Sequence, residues 1–466
     1  MGRRKLPAYE AITIADIAAE GKSIARINDM VVFVPGAVPG DVVDLQVTRK
    51  RKKYLEAKVT RYVSYSDERT EPFCSHFGTC GGCKWQHLPY PRQLIYKEKQ
   101  VQDALQRIGK INIDRTDPIL GAEKTRFYRN KLEYTFSNHR WLSDDEAAGD
   151  QVFEHRNGLG FHVPGRFDRV VDVEKCYLQE DPSNEIRDTL RDFALQQELS
   201  FYDHKTNEGL LRNVIIRTTT TGEVMVVLSV QFDEPVVYEM LEDLNRKVKG
   251  ITSLMYVINP KLNETLYDQD IKVFSGRDHL IEELGGLKFK IGPKSFFQTN
   301  TTQAHELYRK AKEFADLRGD EIVYDLYTGT GTIANYIAGG AGKVVGIESV
   351  PEAIADAVVN SNLNGITNTS FHAGDMKDLF NADFMAEHGR PEVVITDPPR
   401  AGMHQQVVEA LLEVAPEKIV YVSCNPATQA RDVLLLSEKY TFPRSQAVDM
   451  FPHTHHIENV LLLHRK

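Results

Sequence analysis

From Gly292 onward the chain keeps one rhythm, in which apolar strand candidates are separated by helix candidates. EIVYDLY, KVVGIES, TSFHAGD, VVITDPP, KIVYVSC and a final NVLLLHR supply the strands, with IANYIAG, PEAIADAVVNSNLNG and QQVVEALLEV between them. Such strands need a mostly parallel sheet covered on both faces, because each parallel connection has to cross over the sheet. This predicts a doubly wound, Rossmann-like α/β domain over residues 293–466, with its ligand at the C-terminal ends of the strands. Two earlier stretches read differently. Residues 1–70 hold period-two runs, IARINDMVVFVPG, DVVDLQVTRK and YLEAKVTRYV, broken by the turn-rich PGAVPGD, which predicts a small antiparallel OB-like barrel. Residues 71–292 mix one helix, PRQLIYKEKQVQDALQRIG, with the strand candidates KLEYTFSN, GLGFHV, RNVIIRT, VMVVLSV and SLMYVI, which predicts an α+β domain. WLSDDEAAGDQ is expected to be an exposed acidic loop.

The strand ends carry the chemistry. Asp325-Leu-Tyr-Thr-Gly329-Thr-Gly331-Thr follows EIVY and precedes a helix, so its glycines fall where the backbone turns sharply beside a ligand. A dinucleotide enzyme has a similar loop, but it must present amides to a pyrophosphate. Glu348, ending the next strand, suits two ribose hydroxyls of either cofactor. HAGD and TDPP at later strand ends favour S-adenosylmethionine, with Asp375 toward the adenine amine and Tyr327 and Thr332 toward the methionine part. Asp397 in TDPP and Cys424 in SCNP each end a strand of one sheet, so both are expected in one cleft. A lone cysteine is usually apolar filler, but Cys424 leaves its strand at a polar turn. Glu458 precedes the last strand, among His453, His455 and His456.

DPPRAG, SCNP and FPHTHHIE, in that order, resemble the signatures of the RNA uracil-C5 methyltransferase family, and the likeness spans essentially the whole chain. The resemblance implies Cys424 as nucleophile, Glu458 as general base, and Gln298, Tyr327, Glu348 and Asp397 in the cofactor or substrate site, with Thr332 and Asp375 carried over more loosely. The chemistry agrees. Uracil C5 is a poor nucleophile until a thiolate adds at C6, and a base must then take the C5 proton. Asp397 is expected to accept the uracil N3 hydrogen, selecting uracil over cytosine. Rival readings are an amino-methyltransferase, which would want an aromatic residue where Arg400 stands, and a non-catalytic RNA-binding or ribosome-assembly protein.

The five cysteines divide into four and one. Cys74-x5-Cys80-x2-Cys83, with Cys176, offers four thiolates and leaves Cys424 for catalysis. Four thiolates suit structural zinc or an iron–sulfur cluster. The family's ribosomal-RNA members carry a [4Fe-4S] cluster on this pattern, so the resemblance implies that cluster rather than zinc. It also implies a TRAM domain, an OB-type RNA-binding module, at the N-terminus. The pairing points to 23S ribosomal RNA, with transfer RNA as the alternative. Arg49, Lys50, Arg51, Lys52 and Lys53 form a basic run suited to phosphates, or to guarding a strand edge. Lys84, Arg126, Arg129 and Lys131, interleaved with Trp85, Phe127 and Tyr128, suit phosphate contact and base stacking. At 466 residues and net charge -9, with no apolar run near the roughly 18 residues of a membrane span and no apolar stretch behind MGRRK, the chain reads as a soluble, cytoplasmic, multidomain monomer.

Overall fold

The computed structural model describes residues 6–149, 152–153 and 155–466. The basic start at residues 1–5 and the end of the acidic stretch, Asp150 and Gln151, lie outside them. Among the described residues no helix is long and apolar enough to cross a membrane.

Strands Ala8–Thr13, Asp16–Ile17, Ser23–Ile27, Met30–Val34, Val42–Lys50 and Tyr54–Ser64 form one sheet. Its edge strands, Ala8–Thr13 and Asp16–Ile17, are consecutive in the chain, so the sheet returns on itself as a small barrel. Alternation fills it, with Val43, Leu45 and Val47 pointing inward from one strand. The expectation of an all-antiparallel barrel needs one correction: Met30–Val34 and Tyr54–Ser64 run parallel. The PGAVPGD turn carries the chain across the barrel end before the Val42–Lys50 strand intervenes. Asp41, fully buried, secures that turn by accepting from Val38 N at 2.7 Å, Ser66 N at 2.9 Å and Arg69 at 2.7 Å. The run Arg49 to Lys53 is exposed at a hairpin tip.

The central sheet has seven strands in the order Val170–Asp172, Gly158–His162, Lys131–Ser137, Leu211–Thr218, Val224–Val230, Ile251–Ile258, Ile271–Gly276. All pairs are antiparallel except Val224–Val230 with Ile251–Ile258, which the Pro235–Lys247 helix connects. The acidic stretch is not purely loop. Asp144–Ala148 makes a short helix, because Ser143 and Glu146 form a capping box that satisfies two amides.

The C-terminal sheet has eight strands: Thr369–Ala373, Lys343–Glu348, Ile322–Leu326, Val393–Thr396, Lys418–Ser423, Glu458–Arg465, Tyr440–Val448 and Arg115–Leu120. The first five are parallel, Glu458–Arg465 is antiparallel to both neighbours, and apolar clusters cover both faces. Arg115–Leu120 joins the outer edge from the middle of the chain, and the helix before it, Tyr90–Arg107, packs on Pro426–Leu436. The segment from 90 to 120 therefore lies with the residues after 292.

Candidate active site

The strand Ile322–Leu326 ends in a loop whose turns use Tyr327 (φ +64°), Gly329 (φ +54°) and Gly331 (φ +75°). Gly331 also has no room for a side chain, since a Cβ there would lie 2.8 Å from Ala357 Cβ. Glu348, at the end of the neighbouring strand, is half-buried and held by Gly329 N at 3.2 Å, Ser349 Oγ at 2.9 Å and Val350 N at 3.1 Å. Tyr327 lies near both Glu348 and Asp375, and burial pushes its phenol up to about 12. Asp375 is exposed, caps Met376–Leu379 and pairs with Lys377 at 2.8 Å, which holds its carboxyl below the usual range. Thr332 opens the helix after Gly331 and is turned inward, its hydroxyl 3.3 Å from that of Thr330. Gln298 is half-buried beside the Tyr308 hydroxyl, and its carbonyl accepts from Asn130 Nδ2 at 2.9 Å. Glu348, Tyr327 and Asp375 thus gather around one loop, while Thr332 sits beneath it.

One strand over, Asp397 leaves Val393–Thr396, and Cys424 leaves Lys418–Ser423. Ser423 pairs with Asn459 in the antiparallel register, so Cys424 and Glu458 face each other across adjacent strands. The 397–403 loop is fastened to the helix that follows Cys424. Asp432 accepts from Met403 N at 2.8 Å, and the Arg400 carbonyl accepts from Asn425 Nδ2 at 3.0 Å and Thr428 Oγ1 at 3.2 Å. Burial raises the proton affinity of each acidic group here. The Cys424 thiol is pushed up to about 12 by burial and then by the Glu458 and Asp397 charges, against the Arg400 guanidinium. The Glu458 carboxyl is pushed well above its ordinary range by burial and by Asp397. Asp397 is half-buried as a residue, but its carboxyl is enclosed and rises to about 7, by burial and then by Asp325.

Two neighbours were not singled out from the sequence. Asp325 is fully buried, with Oδ2 accepting from Thr328 Oγ1 at 2.5 Å and Ala334 N at 3.0 Å while Oδ1 has no partner. Burial carries it to about 7. Its signal was a carboxylate inside an apolar strand. Tyr308, on Thr301–Ala315, is buried close to Asp397, Asp325 and Glu458, which raise its phenol further. Only the i, i+4 spacing of that helix marked it. The His455 and His456 rings lie with centroids 4.1 Å apart, tilted by 39°, and His456 Nδ1 lies 3.3 Å from Arg400.

Cys74, Cys80, Cys83 and Cys176 line one pocket together with His76, Phe161 and Tyr177. All five cysteines are free thiols. Gly82 N donates to Cys80 Sγ at 3.4 Å, and the Asn184 side chain bridges the backbone N and O of Cys176 at 2.8 and 3.2 Å. Among the described residues no group of three or more His, Cys, Asp or Glu side chains is arranged to hold a single metal ion. The stacking surface expected nearby is smaller than its sequence suggested. Trp85 is 1% exposed, in a small apolar core with Ile17, Val38 and Leu88, and Tyr128 is buried with its hydroxyl on Pro452 O at 3.0 Å. Lys84 and Arg126 remain exposed, and Arg126 covers the Phe73 ring at 3.8 Å.

The sequence profile of the tRNA (Uracil-5-)-methyltransferase family matches residues 269–466, and that of the TRAM domain matches residues 8–60. A protein of Bacteroides thetaiotaomicron described as an uncharacterized RNA methyltransferase is 57% identical, over 96% of this chain and 99% of its own length. A Porphyromonas gingivalis protein with the same description is 55% identical, over 97% and 99%. The crystal structure of Pyrococcus abyssi tRNA (uracil-54, C5)-methyltransferase in complex with S-adenosyl-L-homocysteine superimposes with a TM-score of 0.75 at 29% identity, over 97% of this chain and 99% of that one. With a TRAM barrel at its start and a cofactor loop, a thiol and two enclosed carboxyls at the strand ends of its last domain, this chain belongs to the S-adenosylmethionine-dependent RNA uracil-C5 methyltransferase family.

Proposed function

We propose that this enzyme methylates C5 of a uridine in 23S ribosomal RNA, with Cys424 as nucleophile, Glu458 as general base and Asp397 as the acceptor for the uracil N3 hydrogen. The observation that carries this reading is the register that sets Cys424 opposite Glu458, beside the strand end bearing Asp397. Cys424 passes its proton to solvent and attacks as the thiolate; its sulfur bonds to C6, which drives an electron pair onto C5. S-adenosylmethionine, when bound, supplies the methyl group that C5 takes. Glu458 then accepts the C5 proton, the C5–C6 double bond re-forms, and the S–C6 bond breaks to release Cys424. A carboxyl whose proton affinity is raised by burial is a stronger base once ionised, which suits Glu458 to a carbon-bound proton. The uridine has to be flipped out of its stack to reach this cleft.

For the cofactor, Glu348 takes the ribose hydroxyls, Asp375 the adenine amine, and Tyr327, Thr332, Gln298 and Asp397 the methionine end and the reacting centre. Cys74, Cys80, Cys83 and Cys176 fit a structural [4Fe-4S] cluster, since four thiols share one pocket and a backbone amide already points at one sulfur. Structural zinc, which four thiolates also suit, is the alternative. Residues 1–70 are assigned RNA contact, 71–292 the cluster and 293–466 the chemistry, although the segment from 90 to 120 packs with the last of these. The protein acts as a cytoplasmic monomer, a setting in keeping with five free thiols.

The TRAM barrel together with the four-cysteine pocket supports ribosomal RNA as substrate. Transfer RNA is the second reading, favoured by the full-length similarity to the Pyrococcus abyssi enzyme. Mapping C5-methyluridine in ribosomal and transfer RNA from a deletion strain separates them. Cys424→Ala is expected to abolish both methylation and any covalent RNA adduct, whereas Glu458→Gln should trap the adduct. Survival of the adduct in Cys424→Ala would refute the nucleophile.

A further inference from the structure

Residues 449–457 connect the last two strands and deliver Glu458, yet apart from turns they have no regular secondary structure. Even so, the carbonyls of 449 to 453 are all taken, by donors from four separate parts of the chain. Gln303 Nε2 reaches Asp449 O at 2.9 Å, Asn300 Nδ2 reaches Met450 O at 2.9 Å, and Lys97 Nζ reaches Phe451 O at 3.0 Å. The Tyr128 hydroxyl holds Pro452 O at 3.0 Å, and the amides of Lys84 and Trp85 hold His453 O at 2.9 and 3.0 Å.

The Tyr90–Arg107 helix supplies three further ties to this segment. Lys97 pairs with Asp449 at 2.6 Å, both side chains fully buried, and Tyr90 donates to the other carboxylate oxygen at 2.9 Å. Gln93, also fully buried, accepts from His453 N at 2.8 Å. Its Nε2 faces Trp85 O at 2.9 Å, Leu88 O at 2.8 Å and His453 Nδ1 at 3.1 Å. An amide nitrogen only donates, so where it meets His453 Nδ1 that nitrogen is the acceptor and the imidazole is neutral, with its hydrogen on Nε2. His453 has φ +63°, a conformation a non-glycine residue keeps only when its surroundings enforce it. Three residues on, His456 meets Arg400, and two more reach Glu458.

We propose that Gln93 and Lys97 are positioning residues for Glu458: they hold 449–457 so that the carboxylate meets the C5 proton, and they govern release of methylated uracil from Cys424 rather than its capture. This rests on the roles assigned above to Cys424 and Glu458. Capture needs only Cys424 and a seated uridine, whereas release needs Glu458 placed to accept the proton as the S–C6 bond breaks. A displacement of about 1 Å at such a group can slow its step roughly 100-fold.

The test uses the full-length protein with its cysteine ligands intact. Gln93→Met, Gln93→Glu and, as control, Glu458→Gln are incubated with S-adenosylmethionine and substrate RNA. Adduct resistant to denaturing electrophoresis, product formation and RNA affinity are each read. Gln93→Met is expected to slow product release by roughly 10-fold or more while adduct accumulates and RNA affinity holds. Gln93→Glu keeps the acceptor for His453 N and should recover part of the loss. Should Gln93→Met fail to fold, Tyr90→Phe, which removes one hydroxyl from Asp449, provides the comparison. Loss of adduct and product in parallel, or wild-type behaviour in both, overturns the positioning role. Glu458→Gln without adduct would instead overturn the base assignment, so the two failures are distinguishable.

Discussion

The thiol of Cys424 gives the most direct measure of the electrostatics of this site. Its proton affinity is pushed up to about 12 by burial, Glu458 and Asp397. Against an unperturbed thiol near 8.5, that lowers the thiolate fraction at neutral pH roughly 3000-fold. A thiolate of higher proton affinity is intrinsically more nucleophilic, with a Brønsted slope of about 0.45, and this restores roughly 40-fold. Cys424 in the free enzyme should therefore alkylate with iodoacetamide roughly 100-fold more slowly than a small-molecule thiol, and the rate should climb tenfold per pH unit through about pH 10. Site-resolved mass spectrometry of Cys424 reads the rate. Asp397→Asn separates burial from charge. Asp397 titrates near 7, so removing its charge should accelerate alkylation above that pH and have no effect well below it. Arg400→Gln should slow alkylation, since the guanidinium beside Cys424 favours the thiolate. A Cys424 that titrates near 8.5 in the free enzyme would refute the reasoning.

Asp325→Asn tests the buried carboxyl of the cofactor loop. Its affinity rises from 3.8 to about 7 on folding, so the native state holds a proton that the unfolded chain has lost. Wild-type stability accordingly declines as pH rises between those values, by about 4 kcal/mol at most, and the advantage of Asp325→Asn should grow over the same window. An advantage independent of pH in denaturant titrations would sink this. Lys97→Met strands a buried carboxylate and should cost about 3–5 kcal/mol, while Lys97→Met with Asp449→Leu should cost less. Trp85 fluorescence, 5.9 Å from Lys97, follows the transition, and a double variant no better than the single one would contradict the pairing. Gly331→Ala, at φ +75° and with 2.8 Å to Ala357 Cβ, should weaken S-adenosylhomocysteine binding in calorimetry; unchanged affinity would show that the loop adapts.

The parallel strands were legible because burial on both faces makes each a nearly continuous apolar run, as in KVVGIE and KIVYVS. Arg115–Leu120 was not. It is an edge strand with Pro118 and three polar residues, and only its pairing with Tyr440–Val448 makes it a strand. The chemistry-bearing turns were legible for a related reason: a polar residue at the end of an apolar strand has few places to go but a cleft. That reasoning put Asp397 and Cys424 at the ends of neighbouring strands, where they lie, whereas reading the basic–aromatic stretch as a stacking surface overrated Trp85. A tryptophan flanked by Lys84 and Gln86 looks exposed in sequence, and the helix and barrel that bury it come from elsewhere in the chain. Asp325 was placed at the head of its loop but given no role, because what it does is visible only in its hydrogen bonds to Thr328 and Ala334.

Proton bookkeeping links these observations. In the free enzyme Glu458 is protonated well above the usual carboxyl range, Cys424 is a thiol, and Asp397 is near its midpoint at neutral pH. The proposed cycle needs the reverse, with Cys424 ionised to attack and Glu458 ionised to finish. Desolvation is the largest cause of all three shifts, so opening the site to water would relax them, but it would also weaken the interactions that orient the uracil. Positive charge introduced beside the three groups favours the ionised form of each without admitting water, and a unit charge within about 4–6 Å is worth roughly 1–3 pKa units. Arg400 already contributes in that sense to Cys424 and Glu458, and it is exposed, so it can still draw closer when RNA covers the cleft. The enclosed carboxyls that raise the proton affinity of Cys424 are thus the same groups on which a cationic cofactor would act.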